Sequence, residues 1–409
     1  MYADDKKTRQ SGCGRAESNW HKPRSAGLPS ANYLRQSHRD SQPHPAGPPP
    51  QEARVTAGRT YHPSHRADRR AGGVLNYAAL IASDVGLPDL AADLCWKQHA
   101  VFADTGHLTG DIAVMALMPL INISRLLTRE GDGEAAYDIL TRLYRAAQRR
   151  GTAEICGNTV DLSMLTSTDA DHRKVCEALW VNVLVDGARA LARVGRWTEA
   201  AEAMAAHRGI GNRLLDGRQI KIMALMERGL DQQARDTIDS TNPTELWENA
   251  IAALLRIYCR PATSPAPPAD LDLALQETDE LIATPDPSTA AFQTRVGLTA
   301  LDLVRDRTSP SVARLQDAIA DVAVLDAYAA RDVLSHPLAH PRLTSEQRRK
   351  LDAALTLSGL GTGHLSSTHM RSLAAAVEKA EDALRDLLHS AQNNRPPDTQ
   401  ALVRRSFTS

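Results

Sequence analysis

Apolar and polar positions settle into a helical rhythm just after residue 70. Between 172 and 194, two rows of apolar side chains step by four: Val175, Leu179 and Val183, then Cys176, Trp180, Leu184 and Ala188. Adjacent rows make a stripe wide enough to bury, so the spacing predicts a helix with one face in a core. Gly195 stops it, and Thr198 or a neighbour opens the next helix, giving an αα-hairpin with a very short turn. Further helical patterns cover 270–283, 288–307, 310–334, 344–357 and 370–390. The last carries Leu373, Val377, Ala380, Leu384 and Leu387 at heptad-like spacing, which suits a helix capping the fold or a contact between copies.

The punctuation between helices recurs. Gly86 is followed five residues later by Ala91, Gly131 by Ala136, Gly195 by Ala200 and Gly229 by Ala234. In each case the glycine allows a sharp turn and the alanine allows two helices to approach closely. One segment breaks the rhythm. "AEICGNTVDLS" at 153–163 alternates apolar and polar residues on both sides of Gly157-Asn158, predicting an inserted β-hairpin, with Asp169 or Asp171 capping the helix beyond it.

These corners resemble those of tetratricopeptide repeats (TPR), paired antiparallel helices with a period of about 34 residues. "GRWTEA" matches through Gly195, Trp197 and Ala200, and the helix before it supplies Leu184, Ala188 and Leu191 at the family's large, small and large positions. An earlier unit fits through Leu120, Ser124, Leu127, Gly131, Ala136 and Leu140. Departures are Ala82 and Cys95 at large positions, and Arg218 and Lys221 where apolar residues are expected; the Gly spacings are 45, 64 and 34. The likeness spans about 71–245. It implies an all-α fold, a TPR-like solenoid of αα-hairpins, here with a disordered N-terminal tail and the small β-hairpin insertion. It also implies that Asn122, Arg125, Asn182, Arg189 and Gln219 line a concave groove, where amides and guanidiniums suit a peptide backbone or terminal carboxylate. The alternative for these five is that they simply face water. Composition and fragments of the pattern are similar to uncharacterised proteins of actinobacteria too, a likeness that implies no activity.

Composition sharpens the boundaries. Of 48 Lys+Arg and 49 Asp+Glu, residues 1–70 hold 13 and 6, so a basic tail precedes an acidic body. That tail has eight prolines and few aliphatic residues larger than Ala, too little to offset the entropy of ordering, so 1–70 is expected to be disordered. Its histidines, His21, His38, His44, His62 and His65, show no ligand spacing. Helical repeats are expected over 71–260. Pro261, Pro265, Pro267 and Pro268 then mark a semi-rigid linker at 261–269, followed by more helical hairpins and a capping helix over 270–392 and a disordered tail at 393–409. No apolar run approaches the roughly 20 residues that span a bilayer and no secretory leader is visible, which favours the cytoplasm and no membrane contact.

Signals for chemistry are sparse. Five scattered cysteines without a Cys-x-x-Cys pair fit neither a disulfide framework nor a zinc knuckle, and Cys95, Cys176 and Cys259 read as small core residues. The sequence has no P-loop, His-Glu-x-x-His or Gly-x-Ser-x-Gly motif. Gly359, Gly361 and Gly363 in "SGLGTGH" follow a helix rather than a strand, so they read as an interhelical turn and not a dinucleotide loop. In "SHPLAHP", Pro337 and Pro341 interrupt any helix that would align His336 with His340, which favours a surface loop over a metal site. No cofactor is expected. The reading is a non-enzymatic scaffold or regulatory protein binding a peptide or protein, with nucleic acid reached only through the basic tail and oligomeric state open. The alternative is an accessory or modifying enzyme with its site in the C-terminal helical region.

Overall fold

The computed structural model describes residues 63–260, 266–304 and 309–393. The expected N-terminal tail up to residue 62, linker residues 261–265 and the C-terminal stretch from 394 lie outside the described residues. The chain is mostly helical, and among the described residues two strands form one hairpin. In order the helices are α1 (Pro63–Asp84), α2 (Pro88–Ala103), α3 (Gly110–Glu130) and α4 (Gly133–Arg149). After β1 (Thr152–Ile155) and β2 (Asn158–Asp161) come α5 (Asp169–Asn182), a π turn (Val183–Gly187), α6 (Ala188–Arg193) and α7 (Trp197–Ala206). The chain continues through α8 (Asp216–Glu227), α9 (Asp231–Asp239), α10 (Leu246–Tyr258), α11 (Pro268–Ile282), α12 (Ala290–Leu303), α13 (Pro310–Ala323) and α14 (Ala327–Ser335). A single 3-10 turn (His340–Arg342) leads to α15 (Ser345–Ser358) and α16 (Ser367–Asn393).

The four glycine corners share one geometry. Gly86, Gly131, Gly195 and Gly229 all have left-handed backbone, with φ of 89°, 93°, 83° and 69°. At each, two backbone bonds close the helix end. The glycine N–H donates to the carbonyl three residues back (Ser83, Thr128, Ala192, Met226), and the next N–H donates to the carbonyl five back from itself (Ala82, Leu127, Leu191, Leu225). This double closure satisfies carbonyls a helix end leaves orphaned, and glycine adopts it without the penalty a Cβ brings. Ala91, Ala136, Ala200 and Ala234 are all fully buried, so each corner brings a small side chain against the preceding helix.

Several boundaries differ from the sequence expectation, each for a local reason. Helix α1 starts at Pro63, seven residues before the expected edge of the tail, with proline at a position where its missing N–H is harmless. The β-hairpin turns on Cys156-Gly157, not Gly157-Asn158: both have positive φ, 47° and 78°, and Ile155 pairs directly with Asn158. Thr168, not an aspartate, caps α5 by accepting from the Asp171 N–H, which frees Asp171 to accept from Gly110 N–H at 2.7 Å at the start of α3. The single helix expected over 310–334 is two, because Asp326 caps α14 by accepting from the Ala329 N–H. The run 172–194 is interrupted by the π turn.

Arg218, where an apolar residue was expected, is buried with its donors satisfied. It donates to the carbonyls of Thr237 and Gly211 and the hydroxyls of Ser240 and Thr241 at 2.7–3.2 Å, so it closes the C-terminal end of α9. Helix α3 is the one described helix with the length and apolar content of a membrane span, contrary to the expectation that no run came close; 67% of that stretch is buried in the fold.

Apolar residues form two cores. One holds α1 to α5 together with Val377, Ala380, Leu384 and Leu388 of α16; the other runs from Leu184 to Leu351. The final helix therefore returns to the first, lying along α1 and touching α2. Leu388, rather than the expected Leu387, completes its buried seam.

Candidate functional site

The first helices of successive hairpins are joined by one side-chain link after another. Between α1 and α3, Asn122 Nδ2 donates to Asn76 Oδ1 at 2.6 Å, and Arg129 donates to Ser83 Oγ and Asp84 Oδ1 at 2.6 and 2.7 Å. Between α3 and the π turn, Arg125 grips Asp186 Oδ2 through Nε (3.1 Å) and Nη2 (2.8 Å), while its Nη1 reaches Asn122 Oδ1 at 3.2 Å. Arg189 of α6 pairs with Asp216 of α8 at 2.5 Å. Arg213, just before α8, reaches Glu245 and Glu248 at the start of α10. Trp247 of α10 meets Phe292 of α12 edge to face, ring centroids 6.1 Å apart. Arg295 of α12 pairs with Asp332 of α14 at 2.7 Å. The row then comes back to its beginning: the Tyr328 hydroxyl of α14 donates to Asp84 of α1 at 2.5 Å, across 244 residues.

Five of these links are guanidinium–carboxylate pairs, and they differ in exposure. Arg295 is fully buried, whereas Arg125, Arg129 and Arg213 keep 32%, 39% and 39% of their side chains in solvent. Arg331 lies over the Tyr328 ring, 5.0 Å from its centre, and also reaches Asp332. The π turn aims Asp186 at Arg125; such turns insert one residue per helical turn and re-aim the side chains they carry.

All five residues expected to line the groove have partners within the chain. Asn122 and Arg125 are brought together with Asp186 and Asn76, and Arg189 joins the same row through Asp216. Asn182 and Gln219 stand apart, their amides donating to the carbonyls of Ala178 (2.7 Å) and Leu214 (2.7 Å). Sequence reasoning missed Asp84, Asp186 and Asp216, because acidic residues are frequent along these helices and nothing local distinguishes a paired one, and Tyr328, whose partner lies 244 residues away.

Other candidates resolve differently. His336 is buried, not in a surface loop: its Nδ1 accepts from the N–H groups of Leu338 and Ala339 at 3.3 Å, and its Nε2 lies 3.3 Å from Asp302. Those backbone bonds place the proton on Nε2. Among the described residues no three His, Cys, Asp or Glu side chains converge as metal ligands. Gly359, Gly361 and Gly363 are left-handed and join α15 to α16. Burial pushes the Cys95 and Cys259 thiols up to about 12, so neither is a ready thiolate.

Glu248 is the best-defined ionised group. Burial alone would push its carboxyl up, but the Arg213 guanidinium, the N–H groups of Leu214 and Thr244 and the Thr244 hydroxyl outweigh this and hold it below the usual glutamate range. A carboxyl depressed in the folded state contributes stability above its unfolded pKa, and that contribution is lost as pH falls through the folded value. We therefore expect the melting temperature to drop on acidification below pH about 4.5, with a shallower slope in Glu248→Gln; identical slopes in the two proteins would show that Glu248 is not responsible.

Comparison with protein-family models, curated proteins and solved structures gives no match to this chain.

Proposed function

We propose that the chain is a non-enzymatic, TPR-like helical-repeat protein that binds an extended peptide or protein segment along the first helices of its hairpins. The observation that carries this reading is the row of partly exposed guanidiniums held by carboxylates on neighbouring helices. A guanidinium fixed by two bonds loses little freedom when its remaining donors meet a backbone carbonyl or a terminal carboxylate. Arg125 is held in this way by Asp186, Arg189 by one bond to Asp216 on the next hairpin, and Asn122 adds an amide beside Arg125, while Asn182 and Gln219 stand outside this row. The identical Gly corners support a repeated architecture, and repeated hairpins present equivalent side chains at regular intervals.

The test is direct binding of the full-length protein to an array of short peptides with free or amidated C-termini. Arg189→Gln is the informative variant, because Asp216 keeps partial solvent contact and the fold should tolerate the loss. We expect selected peptides to lose roughly tenfold in affinity, the size of one charge-assisted hydrogen bond, with the melting temperature nearly unchanged. If no peptide binds more tightly than millimolar, or the selected ones bind Arg189→Gln equally well, the row is structural and this reading fails.

A further inference from the structure

Helix α16 is joined to α15 by the loop 359–366 yet packs against the first hairpin. It lies along α1 through one apolar seam, with Val377, Ala380, Leu384 and Leu388 buried and Leu373 at the edge, while most of its remaining described side chains face solvent. At its root the loop makes two backbone bonds to the end of α1, Gly361 N–H to the Asp84 carbonyl (2.9 Å) and Gly363 N–H to the Val85 carbonyl (2.7 Å). The Asp84 side chain is gripped at the same point by Arg129 and Tyr328. The two glycines sit at φ of 70° and 73°, with open space where a Cβ would stand.

We propose that α16 is a releasable strap: an amphipathic helix that occupies, within its own chain, a helix-docking seat on the first hairpin and is fastened there by a clasp centred on Asp84. A long helix attached by four or five apolar side chains and one loop opens as a unit far more readily than a helix surrounded by the core. Opening exposes a seat shaped for side chains at positions 373, 377, 380, 384 and 388, so the partner it fits is another amphipathic helix with apolar residues at that spacing. The inference stands on contacts between α16, its loop and α1, independently of the peptide-binding reading above, and each can fail alone.

Hydrogen exchange on the full-length protein tests it, with Gly361→Ala and Gly363→Ala combined. Neither substitution meets a neighbour, so each acts only by placing a Cβ in left-handed backbone, worth roughly tenfold in the docking equilibrium. The α16 amides should exchange faster than those of α12 in the native protein and at least tenfold faster again in the variant, with α12 unchanged. A labelled peptide of residues 367–393 should bind the variant at least tenfold more tightly than the native chain, and the same peptide carrying Leu384→Asp should not bind. Exchange of α16 together with α12 in both proteins, or a peptide that binds the variant no better than the native chain, overturns the strap.

Discussion

Asp332→Ala should destabilise the protein by about 3–5 kcal/mol, the cost of breaking a buried ion pair from one side. Arg295 lies in α12, where every residue from Ala290 to Leu301 is buried, and its side chain is inaccessible to solvent. Its Nε donates to Asp332 Oδ2 at 2.7 Å, while Arg331 reaches the other carboxylate oxygen from the surface. Removing the carboxylate takes from the buried guanidinium the ion-pair partner that Asp332 supplies and turns Arg331 from a shared partner into a repelling neighbour. Against a typical total of about 5–15 kcal/mol, this is a large fraction of the stability. Chemical denaturation measures it directly. Replacing both partners, Arg295→Met with Asp332→Leu, should recover much of the loss, because it also removes the buried charge that Asp332 balances. Asp138→Ala is the contrast, since the Asp138–Arg142 pair is 52% exposed on both sides and should cost under about 0.5 kcal/mol. If Asp332→Ala unfolds at the native denaturant concentration, the pair is not holding α14 to α12.

The contrast between those two pairs also marks what was legible in the sequence. A glycine in left-handed backbone and an alanine five residues later are local signals, because both act through their own backbone or size. All four corners were therefore readable, including those at Gly86 and Gly229 whose helices depart from the repeat pattern. Arg218 shows the opposite case. It breaks the apolar pattern, and only the fold brings the carbonyls of Thr237 and Gly211 to its guanidinium. The site behaves in the same way. Asn122, Arg125 and Arg189 were identifiable as polar residues on the first helices of hairpins, but their partners Asn76, Asp186 and Asp216 come from other hairpins. Asp186 depends in addition on the π turn, for which the sequence offers no mark: the apolar rows pass through it without a gap. The return of α14 and α16 to α1 could not be read either, since a seam of Val377, Ala380, Leu384 and Leu388 specifies that something covers it and not what.

Two glycines on either side of Asp132 separate the conformational role from the steric one. Gly131 has φ of 93° and open space where a Cβ would stand, so Gly131→Ala should cost about 1–2 kcal/mol from backbone strain alone. Gly133, the first residue of α4, lies in ordinary helical backbone, and sequence reasoning passed over it in favour of Ala136. Yet a Cβ on Gly133 would lie 2.1 Å from the carbonyl oxygen of Ala190, 2.9 Å from its carbon and 3.0 Å from Val194 Cγ1. The obstacle is backbone in α6 rather than a side chain that can rotate away, so the start of α4 must withdraw from α6 by about an ångström to relieve it. That displacement pulls on Asp132, whose carboxylate caps α4, and on the fully buried Ala136 one turn further along. Gly133→Ala should therefore cost about 3 kcal/mol, the upper end of overpacking, and exceed Gly131→Ala in the same denaturation experiment. Val194→Ala should rescue little of it, because trimming the side chain leaves the Ala190 carbonyl in place. An equal or smaller loss at Gly133 than at Gly131 would mean that α4 and α6 are not held at this distance, and the close approach on which the corner at Gly131 depends would have to be redrawn.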